Sequence, residues 1–117
     1  MRRLLWVFAA VGVTVTGCFP RVAAPPGELS QPEIDAAKTK YPDATAESLE
    51  KGRHVFVDHC DHCHGFPDLA FKKATDWPAT AERMGKKAEL DAGEIDLLQR
   101  WIAAAQPKAV ETFNAKK

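Results

Sequence analysis

Apolar residues recur at helical spacing in three stretches of this chain. The first stretch predicts a helix from Thr45 to Cys60, with Thr45 as the N-cap and acidic residues in the first turn. One face of this helix carries Leu49, Gly52, Phe56 and Cys60. A single apolar face predicts a helix that packs on one side against the rest of a small core.

A second helix is expected from Asp91 to Ala105. Asp91 and Glu94 have the spacing of a capping box, with Asp in place of Ser or Thr. Trp101 lies beside the apolar stripe of this helix. The stripe consists of Ile95, Leu98, Ile102 and Ala105.

A third helix should begin at Asp76-Trp77-Pro78, because proline is favoured in the first turn of a helix. Its face carries Trp77, Ala81, Met84 and Ala88. Gly85 weakens the helix just after Met84, so the pattern does not fix where this helix ends.

The flanking segments lack a sustained apolar period. Residues 18–44 read as an extended tether, with only a weak indication of a short helix near Pro32. The tail, residues 106–117, is expected to fray. The sequence therefore predicts an all-α domain of three to four helices over residues 45–105. The prolines of the tether are Pro20, Pro25, Pro26, Pro32 and Pro42.

Composition bounds the fold and excludes some functions. The chain has 117 residues, enough for one small domain. Its 16 basic and 16 acidic side chains cancel, so no strong field favours nucleic acid. There is no internal repeat. The three cysteines are Cys18, Cys60 and Cys63, and each has a candidate role that leaves no disulfide to form.

The N-terminus has the pattern of an export signal. Arg2 and Arg3 precede the apolar run Leu4–Val15, which is too short for an ordinary membrane span. The run ends in Val15-Thr16-Gly17-Cys18, which resembles a bacterial lipoprotein signal. The resemblance implies that residues 1–17 are removed and that Cys18 is acylated. A signal anchor that is not cleaved and a plain secretory peptide are the alternatives.

Phe19 follows Cys18. By the same resemblance, a residue other than Asp at this position implies sorting to the outer membrane. Two or more acyl chains anchor a protein stably, whereas one holds weakly. The sequence thus predicts a protein that is exported, faces the periplasm and is held on a membrane by lipid.

Cys60-Asp61-His62-Cys63-His64 is the C-x-x-C-H spacing that attaches a c-type haem. On one short turn, Cys60 and Cys63 can each form a thioether bond with a haem vinyl group. His64 then lies beneath the iron as the proximal ligand. Zinc is a poor alternative, because a C-x-x-C zinc site normally needs a distant second pair of ligands.

At this point the chain resembles the class I cytochrome c family. In that family the first helix carries a glycine eight residues and an aromatic four residues before the first haem cysteine, and Gly52 and Phe56 occupy those positions. Leu98, Trp101 and Ile102 have the order of the family's terminal helix. The resemblance implies a fold wrapped around one covalent haem. It also implies that Gly52 and Phe56 touch Leu98 and Trp101.

Met84 is the candidate for the distal iron ligand. It is the only methionine after Met1, and cytochromes c commonly use a methionine thioether at this position. The alternatives are that Met84 only fills the core, or that a histidine or lysine ligates instead. The competing residues are His54, His59, His62, Lys86 and Lys87.

Groups that contact the haem propionates are harder to identify. Arg53, Arg83 and Trp77 are candidates, although a solvated surface position is the simpler interpretation of each arginine. His64 should donate its other ring N–H to a backbone carbonyl. Pro67 lies close in sequence to this histidine, but the sequence does not fix the acceptor.

These features together predict a one-electron carrier rather than an enzyme, since the chain shows no nucleophile with a matching base. Its partners would be a periplasmic oxidoreductase, another cytochrome or a terminal oxidase. The alternative is a haem protein that senses or binds NO, CO or O₂ at an open or labile sixth site. A dedicated subunit of a larger membrane complex is a third interpretation.

Overall fold

The computed structural model describes residues 22–62 and 65–117. Two short strands, β1 (Val22–Ala23) and β2 (Phe66–Pro67), pair antiparallel with Val22 opposite Pro67. The rest is mostly helical, as the sequence predicted. The helices are α1 (Gln31–Lys40), α2 (Ala46–His59), α3 (Trp77–Lys87) and α4 (Ala92–Ala115). The 3₁₀ turns Leu69–Phe71 and Ala74–Asp76 lead into α3.

The predicted N-caps of α2 and α4 are confirmed. The Thr45 hydroxyl accepts a hydrogen bond of 3.1 Å from the Ser48 N–H. The Asp91 carboxylate accepts one of 2.8 Å from the Glu94 N–H, and Glu94 in turn accepts one of 2.9 Å from the Asp91 N–H. These bonds satisfy backbone donors that have no partner inside the helix, so each helix begins at a defined residue.

The end of α3 is a Schellman motif. The Leu90 N–H donates to the Gly85 carbonyl at 2.9 Å and the Glu89 N–H to the Lys86 carbonyl at 3.2 Å. Glu89 supplies the left-handed residue of the motif, with φ of 61°. Gly85 does not stop the helix: a Cβ atom at this position would lie 2.6 Å from Ile95 Cγ1. The glycine therefore lets α3 approach α4 closely.

The contact between α2 and α4 is the centre of the fold. A Cβ atom on Gly52 would lie 2.2 Å from the Leu97 carbonyl oxygen and 2.7 Å from Trp101 Cβ. The Phe56 and Trp101 rings pack with their centroids 4.6 Å apart. The implied meeting of Gly52 and Phe56 with Trp101 is present, although Gly52 approaches Leu97 rather than Leu98.

This crossing is part of one buried cluster that joins α2, α3 and α4. Its members are nearly excluded from solvent, and Cys60 and Phe66 are partly buried against it. The cluster consists of Phe56, Leu69, Trp77, Ala81, Leu90, Ile95, Leu98, Trp101 and Ile102.

The prediction of an extended tether over residues 18–44 is wrong for residues 31–40, which form α1. Ala37 of α1 and Ala104 of α4 are fully buried together with Leu49. The apolar side of α1 is built mainly from alanines, so its hydrophobic periodicity was weak. Pro32 lies in the first turn, where proline is compatible with a helix.

Arg100 holds the connection between α1 and α2 against α4. Its guanidinium donates to Asp43 at 2.9 Å and to Asp96 at 2.7 Å. The same guanidinium lies 4.8 Å from the centre of the Tyr41 ring. Hydrogen bonding to Arg100 lowers the pKa of Asp43 below its usual value. The segment that precedes α2 is thus packed against the helical core.

The prediction that residues 106–117 fray is also wrong, because α4 continues to Ala115. Pro107 lies inside this helix but is exposed, and Gln106 is only 7% exposed. Among the described helices, α4 included, none is long and apolar enough to cross a bilayer. The predicted signal segment and Cys18 lie outside the described residues.

Candidate functional site

Cys60 lies at the C-terminal end of α2 as its C-cap. Its N–H donates to the Phe56 carbonyl at 2.9 Å, so the helical hydrogen bonding runs up to the cysteine. The side chain is partly buried and packs against the core cluster. The first cysteine of the C-x-x-C-H motif is therefore fixed at the edge of the core and not on a free loop.

The surroundings of Cys60 keep its thiol protonated. Burial, with a smaller contribution from the nearby Asp61 carboxylate, raises the pKa of this thiol to about 11. A thiolate is the form that binds metal ions and attacks disulfides. Without a bound metal ion, the neutral thiol is therefore the favoured form of Cys60 at neutral pH.

The two ends of the segment that holds Cys63 and His64 meet. The Gly65 N–H donates to the Asp61 carbonyl at 3.1 Å, which brings Gly65 back to the turn at residues 60–62. Gly65 has φ of 76°, a value that glycine adopts without strain. Cys63 and His64 themselves lie outside the described residues, so their predicted roles stay predictions.

Strand β1 lies directly beside this turn. A Cβ atom on Gly65 would lie 3.0 Å from Val22 Cγ1. Any larger residue at position 65 would therefore meet the valine as well as strain the backbone. The N-terminal arm thus holds the turn in place from one side.

The chain that follows the turn is tied to α3. The Asp68 carboxylate caps the 3₁₀ turn by accepting from the Ala70 N–H at 2.9 Å. The Leu69 carbonyl accepts a buried hydrogen bond of 2.9 Å from Trp77 Nε1. Pro67 is buried between these contacts and β1. The segment after the C-x-x-C-H motif therefore connects it to the helix that carries Met84.

Two of the three candidates for propionate contacts already have partners. Trp77 Nε1 is bonded to Leu69, and Arg53 binds the Glu50 carboxylate and, at 3.2 Å, the Pro26 carbonyl. Arg83 is exposed on α3. The polar groups of Trp77 and Arg53 therefore stabilise the fold through these protein contacts.

Met84 lies on α3, one turn after the buried Ala81 and two turns after the buried Trp77. Its side chain is partly buried. Among the described residues it does not belong to the core cluster, which includes both Trp77 and Ala81. A core-filling role therefore accounts for Trp77 and Ala81 better than for Met84.

Most of the competing ligands have surface positions, and His59 alone among them is partly buried. His54 and His62 are 62% and 67% exposed, and each lies 3.5 Å from a carboxylate oxygen, of Glu50 and Asp61 respectively. The position of His54 on the outer side of α2 is as predicted. Lys86 is exposed and paired with Glu82 at 2.7 Å.

A cavity of about 600 Å³ lies beside the α2–α4 contact, and Phe56 and Trp101 line it. One wall is the arm from Val22 to Leu29 and another is the second half of α4. Residues 67–69, just after the C-x-x-C-H motif, also line it. Sequence reasoning missed this cavity because both walls were predicted to be extended or frayed. The spacing of Ala105, Ala109 and Phe113 is the signal that could have indicated the α4 wall.

Trp101 Nε1 has no hydrogen-bond partner among the described residues, although Trp101 is fully buried. Trp77 is buried to a similar degree, but its Nε1 has a partner. The two tryptophans are therefore alike in burial and differ in whether the indole N–H has a hydrogen-bond partner.

Trp77→Phe should cost more stability than Trp101→Phe. Both changes remove the same atoms, but the first leaves the Leu69 carbonyl unpaired, whereas the second removes a donor that is already unsatisfied. We expect a difference of about 1–2 kcal/mol in the free energy of unfolding. Urea unfolding of the two variants measures it, and equal losses would contradict the assignment of these hydrogen bonds.

No group of three or more metal-binding side chains is found within the described ranges, which leave out Cys63 and His64. No family model, curated protein or solved structure matches this chain.

Proposed function

We propose that this protein is an exported, lipid-anchored, monohaem c-type cytochrome that carries single electrons between redox partners. The observation that carries the proposal is the Cys60-Asp61-His62-Cys63-His64 motif at the end of α2. Its first cysteine packs against an apolar cluster, which is the surface that a flat, largely apolar macrocycle needs.

The donor set fits a c-type haem. Cys60 and Cys63 are the two thiols for covalent attachment, and His64 is the proximal ligand. Burial raises the pKa of the Cys60 thiol to about 11, and a thioether carries no ionisable proton, so this burial does not oppose covalent attachment. Met84 on α3 would be the distal ligand, and its partly buried side chain does not belong to the core cluster.

A haem held in this way supplies a one-electron couple at its iron. The residues of the chain affect the reduction potential of that couple and the access of water to it. His64 and Met84 would both ligate the haem iron, and a methionine ligand would give a higher reduction potential than a second histidine. Leu98 and Ile102, only 1% and 3% exposed, keep water out of the core beside the site. With both axial positions filled, no substrate reaches the iron, so the protein is a carrier and not an enzyme.

Acylation of Cys18 would keep this carrier on a membrane facing the periplasm, with the outer membrane indicated by Phe19. Its partners would be a periplasmic oxidoreductase, another cytochrome or a terminal oxidase.

Met84→Ala tests the distal ligand. We expect the variant to lose the weak sulfur-to-iron charge-transfer band of the oxidised protein. Its reduction potential should fall by roughly 0.1 V, because the thioether no longer stabilises the ferrous state. Visible spectroscopy and potentiometric titration measure these changes.

Glu82→Ala is the matched control, since Glu82 is an exposed residue of the same helix. It should leave both the band and the potential unchanged. An unchanged spectrum in Met84→Ala would assign the distal position to another residue.

Carbon monoxide separates the carrier from a sensor or ligand-binding haem protein. The reduced wild-type protein should be spectrally inert to the gas, whereas reduced Met84→Ala should respond rapidly. A rapid response of the wild type would favour the sensor and contradict the carrier.

A further inference from the structure

Two large hydrophobic side chains are exposed among the residues that the structure describes: Val22 is 66% exposed and Phe71 is 43% exposed. Val22 lies beside the turn that follows Cys60, and Phe71 lies four residues after the end of β2. Val22 pairs with Pro67 and touches Gly65, and Phe71 ends the 3₁₀ turn that begins at Leu69. Elsewhere in the described chain such side chains are at least partly buried, so their exposure on this side needs a reason.

Both side chains border the second half of α4. Val22 lines the large cavity together with α4 residues as far as Lys116. The Lys72 carbonyl, next to Phe71, accepts a bond of 3.4 Å from Gln106 Nε2 of α4. Val22 and Phe71 are also held by neighbouring stretches of the chain, because Val22 pairs with Pro67 and the Phe71 N–H donates to the carbonyl of the next residue, Asp68, at 2.9 Å.

Lysines surround these apolar residues. Lys72 Nζ lies 5.8 Å from the centre of the Phe71 ring, and Lys73 is exposed next to it. Lys116 lies at the cavity with Val22. We call the set Val22, Phe71, Lys72, Lys73 and Lys116 the strap face. Exposed apolar side chains flanked by lysines are the pattern of a surface that lies on a bilayer.

The acidic groups near the strap face are partly engaged elsewhere. Asp68 accepts the Ala70 N–H that caps the 3₁₀ turn, and Glu33 lies 3.8 Å from the ammonium of Lys108, which also lines the cavity. Glu28 lines the same cavity and is exposed. Asp76, three residues after Lys73, is exposed as well. Among the described residues Lys72, Lys73 and Lys116 nevertheless form no ion pair, so their ammonium groups can meet anionic headgroups.

The short stretch of chain between Cys18 and Val22 limits how far the strap face can lie from the membrane. Cys18, the residue proposed to carry the acyl chains, is four residues before Val22. Four residues span at most about 14 Å, roughly half the thickness of the hydrocarbon core of a bilayer. Since Val22 is paired with β2, the anchor cannot lie far from the strap face. The long free tether that the sequence predicted would have allowed a greater separation.

We infer that the strap face lies on the lipid bilayer that holds the anchor, with Val22 and Phe71 in the interface and its lysines on anionic headgroups. The inference rests on the lipid anchor of the proposed function and adds an orientation to it. The turn after Cys60 is then held close to the membrane surface, so the protein meets its redox partners at that surface.

Photocrosslinking in vesicles tests this orientation. The full acylated chain, with p-benzoylphenylalanine replacing Phe71, is reconstituted into vesicles of phosphatidylethanolamine and phosphatidylglycerol. The control carries the same crosslinker in place of Glu47, an 80% exposed side chain near the other end of α2. We expect at least tenfold more lipid adduct from position 71 than from position 47, measured by mass spectrometry.

A second variant tests the role of charge. Lys72→Glu combined with Lys73→Glu should reduce the lipid adduct from position 71 severalfold in these vesicles. Omitting phosphatidylglycerol from the vesicles should reduce it in the same way. Equal lipid adducts from positions 71 and 47, or adducts from position 71 mainly to a second copy of the chain, would overturn the orientation.

The same samples separate this inference from the proposed function. If the protein carries the acyl mass and shows a haem spectrum, but positions 71 and 47 give equal lipid adducts, only the orientation is overturned. A chain without acyl mass would overturn both the orientation and the anchor, while the haem spectrum would still report on electron transfer.

Discussion

Gly52→Ala should destabilise the protein by about 3 kcal/mol, near the upper end of what overpacking costs. The added Cβ would lie 2.2 Å from the Leu97 carbonyl oxygen and 2.7 Å from Trp101 Cβ. Both are parts of the α4 backbone or fixed to it, so no side-chain rotation relieves the contact. The two helices must separate, although alanine alone favours a helix by about 1 kcal/mol over glycine. Urea unfolding of the purified protein measures the loss.

Gly27→Ala is the control for this prediction, because a Cβ at Gly27 meets nothing within 4 Å. Its free energy of unfolding should change by no more than about 0.5 kcal/mol, as for other surface substitutions. If Gly52→Ala were as stable as Gly27→Ala, the close crossing of α2 and α4 would be contradicted.

The double variant Cys60→Ala, Cys63→Ala should lose all covalently bound haem. Without the two thiols no thioether bond can form, and any haem left on His64 is held only by coordination. Acid organic solvent should therefore extract the colour from the variant but not from the wild type. The absorbance of the protein after extraction measures the difference.

Cys18→Ser is the matched control for the cysteines. It should retain all its covalent haem and lose the mass of the acyl chains, because this thiol has a separate predicted role. Haem that resists extraction from the double variant would show that the motif is not the point of attachment.

The helices and their main crossing could be predicted because their signals are local. Thr45 and Asp91 are capping residues with a fixed spacing to their partners. Gly52 and Trp101 were brought together by a resemblance to a family, and the structure shows their contact.

The segments around this core could not be predicted in the same way. The buried side of α1 consists mainly of alanines such as Ala37, which gives little contrast between apolar and polar positions. The tail after Ala105 was expected to fray, but α4 continues through Pro107 to Ala115 and packs against α1. Tertiary packing decided both cases over local preference.

In the candidate site, too, the local features could be predicted from the sequence and the contacts between distant segments could not. The type and spacing of Cys60, Cys63, His64 and Met84 are readable from the sequence. The burial of Cys60 and the pairing of Val22 with Pro67 depend on contacts between distant parts of the chain. A strand of two residues carries no periodicity, so β1 and the strap face became visible only in three dimensions.

The visible spectrum and intact mass of the mature full-length protein, expressed with functional cytochrome maturation machinery, show whether the chain carries a covalent haem. We expect a coloured protein with the spectrum of a low-spin c-type haem in both oxidation states. Its mass should exceed that of the acylated chain by one haem. A colourless protein without this added mass would show that the chain is not a cytochrome.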